Sequence, residues 1–167
     1  MLLCMAACGG DKELSSDVPD DTMALTSAFD LSKFVPQDTQ IMLGENLPTF
    51  SVSGELIMQE VPESAQKEDG MEVHLSNKDD SQQLTICRFP GSGSLKKSAA
   101  AFLKKYGYTE KDITAEYKEL DSFYDQPVKC GNFGLLESNH ENGEYNIDAY
   151  MFEDGEKVVL VEFWSKN

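Results

Sequence analysis

The chain has 167 residues, 30 of them acidic and 14 basic, for a formal net charge of −16. A field of that sign repels phosphate backbones and anionic headgroups, which excludes nucleic acid and electrostatic docking on lipid as leading partner classes. Hydrophobic residues make up 40% of the chain, enough for one core, and no run approaches the roughly 20 apolar residues of a membrane-spanning helix.

The chain opens Met1-Leu2-Leu3-Cys4-Met5-Ala6-Ala7-Cys8-Gly9-Gly10. Small residues before a cleavage point mark the end of a secretory signal segment. Met5-Ala6-Ala7-Cys8 resembles the lipobox of bacterial lipoproteins, with Met5 in place of the commoner Leu. The resemblance implies cleavage before Cys8 and lipidation of its thiol; Leu3 is too large to serve Cys4 in the same way. A complete signal has a basic segment and about 7–15 apolar residues, so residues 1–7 read as a truncated lipoprotein signal peptide, shortened at its start or damaged. Each buried methylene of a lipid chain contributes about 0.8 kcal/mol, so acylated Cys8 holds the chain at a membrane without a span. The implied location is a bacterial membrane, lipid-anchored and extracytoplasmic, in the periplasm or at the cell surface. Residues 8–28, rich in Gly, Ser, Asp and Pro, read as a flexible tether, and residues 29–167 as a single α+β domain.

From Phe29 to Pro48 the apolar residues are sparse, and only short irregular or strand pieces are expected. Phe50, Val52, Gly54, Leu56 and Met58 share one face of a period-two pattern, predicting a strand over 49–61 with a bulge at Gly54. A polar loop is expected over 62–70. Met71, Val73 and Leu75, a turn over 77–81, and Leu84 through Phe89 predict a hairpin. Pro90 through Gly93 end it, and Ser94 is placed to cap a helix whose apolar stripe is Leu95, Ala99, Phe102, Leu103 and Tyr106, with Gly107 as its stop. Residues 109–123 fit a short helix or a strand. Three strands follow, over 128–137, 145–152 and 157–164, joined at Asn142-Gly143 and Asp154-Gly155, both strong hairpin signals. The expected fold is α+β: an antiparallel sheet with a C-terminal three-stranded meander, packed by one or more helices.

That order of elements, with phrases such as Gly70-Met71-Glu72-Val73-His74-Leu75-Ser76-Asn77 and Phe102-Leu103-Lys104-Lys105-Tyr106 and the strand over 159–165, resembles the PsbP-like proteins. These include photosystem II extrinsic subunits and small bacterial lipoproteins. The resemblance covers residues 50–165 and implies an α/β/α sandwich without implying any catalytic residue.

Candidate chemistry is sparse. Phe89 through Ser94 lies between strand and helix like a phosphate-cradling loop, but matches neither a Walker nor a dinucleotide fingerprint and reads as a capped helix start. Arg88, the only arginine, has a fork suited to a ligand carboxylate or phosphate, or to a cross-strand acid. Cys87 and Cys130 allow a disulfide in an exported chain, or two buried free thiols. Phe123 and Tyr124 sit in a polar loop beside Pro127 and are candidates for a binding face. His74 and His140, the only histidines, lack metal-ligand spacing, and the acidic pairs lack the order of a calcium loop. No metal, cofactor or catalytic residue is expected. The expected role is non-catalytic binding of a protein or envelope component, with a small-molecule-binding module and an envelope hydrolase as alternatives.

Overall fold

The computed structural model describes residues 38–109 and 117–167, which belong to a compact unit ending at Asn167. Cys8, the signal and tether segments and residues 110–116 of the ambiguous stretch 109–123 lie outside the described residues. Within them, no helix is long and apolar enough to cross a membrane.

Nine strands and two helices are described. Strands β1 (Thr39–Met42) and β2 (Thr49–Val52) form a two-stranded antiparallel sheet. The other strands are β3 (Ile57–Met58), β4 (Met71–Ser76), β5 (Gln82–Pro90), β6 (Lys118–Leu120), β7 (Cys130–His140), β8 (Gly143–Asp154) and β9 (Lys157–Lys166), interrupted by helices α1 (Glu63–Asp69) and α2 (Leu95–Lys104). These seven form one sheet in the order β3-β4-β5-β9-β8-β7-β6, with every neighbouring pair antiparallel. The expected hairpin is β4–β5 and the expected meander is β7–β8–β9. Their junction is the long β5–β9 pairing, which runs from Gln82↔Ser165 to Pro90↔Lys157.

Strand alternation gives the sheet two apolar faces. On one, Leu84, Ile86, Val159, Val161 and Phe152 pack with Phe50 and Val52 of the β1–β2 pair and with Phe123. On the other, Cys87, Leu160, Met151, Ala149 and Phe133 pack with Ala99, Phe102 and Leu103 of α2. The α2 stripe therefore behaves as its 3.6-residue spacing predicts. Ser94 caps the helix by accepting from the Lys97 amide at 3.2 Å, and Gly107 takes a positive φ of 84° beyond its end. Tyr106 lies past the last helical residue and is 50% exposed.

Two expected elements differ. The strand over 49–61 is broken: β2 and β3 belong to different sheets, because a turn closes between them with the Leu56 amide donating to the Ser53 carbonyl at 2.9 Å. The loop over 62–70 contains α1. Pro62, with φ −59°, precedes its first residue, Glu63 and Lys67 pair one turn apart, and Gly70 ends it at φ 67°. α1 buries none of its residues, so it has no apolar stripe by which the sequence could announce it. Only glycine fits at position 70, since a Cβ there would lie 2.1 Å from the Arg88 carbonyl oxygen.

Candidate functional site

The side chains proposed for binding from sequence are mostly committed to the fold. Arg88 projects to the face opposite α2, where Nε donates to Glu72 at 3.2 Å, Nη1 pairs with Asp154, and Nη2 donates to the Leu43 carbonyl at 2.7 Å. Its fork is thus spent on holding β4, the end of β8 and the segment after β1 together. Phe123 is fully buried, against its expected place on a binding face. Its ring meets those of Phe50, Tyr124, Tyr150 and Phe152 at 4.7–5.6 Å, edge to face. The loop reaches the core because Gln126 bonds both backbone groups of Thr49, at 3.1 and 2.6 Å. Tyr124 remains 68% exposed, held at a positive φ of 51°.

The cysteines do not meet. Cys87, Leu160, Met151 and Gly131 form one cross-strand row, and Cys130 is the next residue along β7, on the opposite face. Three strand spacings of about 4.8 Å separate the backbones by roughly 14 Å, about twice the reach of a disulfide. The bridge alternative falls; both are buried free thiols. The loop before α2 likewise uses its amides internally: Gly91 donates to the Glu156 carbonyl and Ser92 to Ser98 Oγ, each at 2.9 Å. Among the described residues, no group of three or more His, Cys, Asp or Glu is placed to hold a metal ion.

A different place gathers chemistry. Between α2 and the sheet lies a cavity of about 220 Å³ lined by Met71, Cys87, Phe102, Leu103, Leu135, Ile147 and Trp164, with Tyr106, Tyr108, Glu137 and Glu162. Glu162 is its unusual member. It stands in β9 between Leu160 and Trp164 on the helix-facing side, is 6% exposed, and is flanked in its cross-strand row by Thr85 and Ala149. Thr85 Oγ1 donates to Glu162 Oε2 at 2.6 Å.

Burial pushes the pKa of Glu162 up and Asp69 adds to the rise, while the hydrogen bond from Thr85 pulls the other way. The Cys87 thiol is pushed up by burial first and then by Glu162 and other acids. Tyr106 is raised by burial and by its hydrogen bond with Asp69, and Tyr108 chiefly by burial. The arrangement suits holding a ligand by packing and one polar contact. It does not suit nucleophilic attack, since a thiol kept protonated is a poor nucleophile.

A larger depression of about 410 Å³ lies beside it, lined by α1, α2 and the end of β5. Its charged groups are engaged with the protein itself: Lys105 reaches the Glu68 carbonyl at 2.7 Å and Asp69 at 3.6 Å, and Lys67 pairs with Glu63.

Glu162 was legible in the sequence as the one charged residue in Val158-Val159-Leu160-Val161-Glu162-Phe163-Trp164. When both faces of a strand are apolar, an acid on either face is buried. Tyr108 gave no such signal, because its place at the cavity depends on the chain turning back after Gly107.

Fold and cavity together define an α+β domain with a carboxyl set inside an apolar pocket. No protein family matches the chain, and no curated protein matches it. Among solved structures it is similar to a protein from Bacteroides thetaiotaomicron VPI-5482, at 14% identity and a TM-score of 0.45, over 71% of this chain and 38% of that one. The chain thus spans well under half the length of that protein.

Proposed function

We propose that this chain is a non-catalytic extracytoplasmic binding protein, held at a bacterial membrane by a lipid on Cys8, that takes a small molecule into the cavity around Glu162. The observation that carries the binding role is the carboxyl itself. Burying an ionisable group without a cation is costly, and a strand position with apolar neighbours would fold more stably with Leu or Val. An apolar cavity with few polar groups is the usual form of a small-molecule site. The lipobox-like Met5-Ala6-Ala7-Cys8 supports the membrane address. The PsbP-like reading rests on element order and a few short phrases of sequence; among the described residues the layer opposite α2 is the β1–β2 pair.

A pocket-filling variant tests the binding role. Wild-type protein isolated from its native envelope and analysed by native mass spectrometry is expected to carry a small-molecule adduct that Leu135→Trp lacks. Identical spectra from the two proteins count against the pocket. For the address, Cys8→Ala is expected to leave the membrane fraction, and unchanged fractionation defeats the anchor. A partner protein is a second reading, favoured by Ile57 and Met58, which stand 58% and 64% exposed on the edge strand β3.

A further inference from the structure

The cavity around Glu162 combines two kinds of recognition element. Four aromatic rings, those of Phe102, Tyr106, Tyr108 and Trp164, share its wall with two carboxylates, Glu162 and Glu137. No lysine or arginine lines it; Lys105 stands just outside, over the Phe102 ring at 5.8 Å and paired with Asp69, which leaves Tyr106, Tyr108 and Trp164 as the rings open to a ligand. Aromatic faces are electron-rich and attract organic cations, and a desolvated ring contributes about 2 kcal/mol or more to such a contact. A carboxylate in the same enclosure supplies the charge-assisted partner that a bound ammonium needs.

The carboxyl's own contacts point the same way. Thr85 donates to Oε2 at 2.6 Å, which favours the charged form. The Thr85 hydroxyl presents its hydrogen to Glu162 and so favours a carboxylate, while burial and Asp69 oppose its ionisation. What would complete it is a positive charge arriving from the cavity side. An anionic ligand would meet Glu162 and Glu137, and would be repelled.

We infer that the cavity binds an organic ammonium ion: a compact apolar group, of the size of one ring with a short arm, bearing a positively charged nitrogen that sits against Glu162 among the aromatic faces. This rests on the small-molecule reading above and adds the sign and class of the ligand. The size follows from the volume, since a cavity of about 150 Å³ holds benzene and this one measures about 220 Å³.

The test uses near-isosteric probes that differ in charge: benzylammonium, benzyl alcohol and benzoate. Trp164 is the only tryptophan in the chain and lines the cavity, so its fluorescence reports occupancy directly. The full chain is titrated with each probe at neutral pH. Benzylammonium is expected to change the emission saturably and to bind at least about tenfold more tightly than benzyl alcohol, with benzoate weakest. Glu162→Gln is expected to reduce that preference to within about twofold while benzyl alcohol still binds. Equal affinity for benzylammonium and benzyl alcohol in the wild type overturns the ammonium inference and leaves the small-molecule pocket standing. No saturable response to any of the three overturns both. Because the wild-type comparison needs no substitution, a misfolded variant does not rescue the inference.

Discussion

Replacing Glu162 by Gln isolates the consequence of burying one acid. In the native chain burial raises its pKa above the ordinary glutamate value of 4.5. Above pH 4.5 the unfolded chain releases that proton, while the native chain keeps it up to the raised pKa. The native state then binds one proton more, and the stability contributed by the neutral carboxyl, present in full below pH 4.5, is lost as pH rises through that window. One proton sets the slope, at most about 1.4 kcal/mol per pH unit. Glutamine has the same shape, can accept from Thr85 through its amide oxygen, and does not titrate. The wild-type stability minus that of the variant is therefore expected to be level below pH 4.5, to fall with that slope above it, and to level again once the native carboxyl ionises. Titrating groups that do not feel the Glu162 charge cancel in the difference, and those at the cavity that do, Cys87, Tyr106 and Tyr108, are raised further from this pH range, which leaves the coupling to Asp69 as part of what is measured. Urea denaturation at half-unit steps from pH 4 to 8, followed by Trp164 emission with the m-value checked for constancy, measures it. A difference that does not change with pH would refute the claim that burial dominates at Glu162.

Other consequences follow from the same packing. Phe123→Ala removes the hub of the aromatic cluster and should cost about 3–5 kcal/mol in urea denaturation, against well under that for Tyr124→Ala. Arg88→Ala should cost roughly 1–3 kcal/mol, since it strands the Leu43 carbonyl and separates Glu72 from Asp154, and the exposure of both acids keeps the loss at the lower end. In peptide mapping after brief iodoacetamide treatment, Cys87 and Cys130 should stay unmodified in the native chain and react in 8 M urea, because burial raises both thiols; modification of either under native conditions contradicts its placement.

Where neighbours in sequence were also neighbours in space, the residues announced the structure. Asn77 through Ser81 turn the β4–β5 hairpin through bonds among themselves, with Asp79 accepting from Ser81 at 2.8 Å and Asn77 donating to it at 2.9 Å. Ser94, the α2 stripe, Gly107, Asn142-Gly143 and Asp154-Gly155 are local in the same sense. Phe123 could not be placed this way. Its loop is as polar as an exposed one, and it is buried because Gln126 is tied to Thr49, 77 residues away. Arg88 offered the same fork to a ligand and to a cross-strand acid, and only the assembled sheet brought Glu72, Asp154 and Leu43 to it.

By itself, then, the sequence determined the β4–β5 hairpin, α2 and the terminal antiparallel meander, though not α1 or the break between β2 and β3, because turn chemistry and strand alternation act over a few residues. It also carried the acid at position 162 within an apolar strand. Which faces are covered and by what was decided by tertiary structure alone. Strand order set Cys87 and Cys130 on opposite sides of the sheet, folded Phe123 inward, and enclosed Glu162 with Tyr106, Tyr108 and Trp164. A cavity belongs to no single segment: its walls come from α2, the segment after it and five strands, and their meeting depends on contacts far apart in the chain.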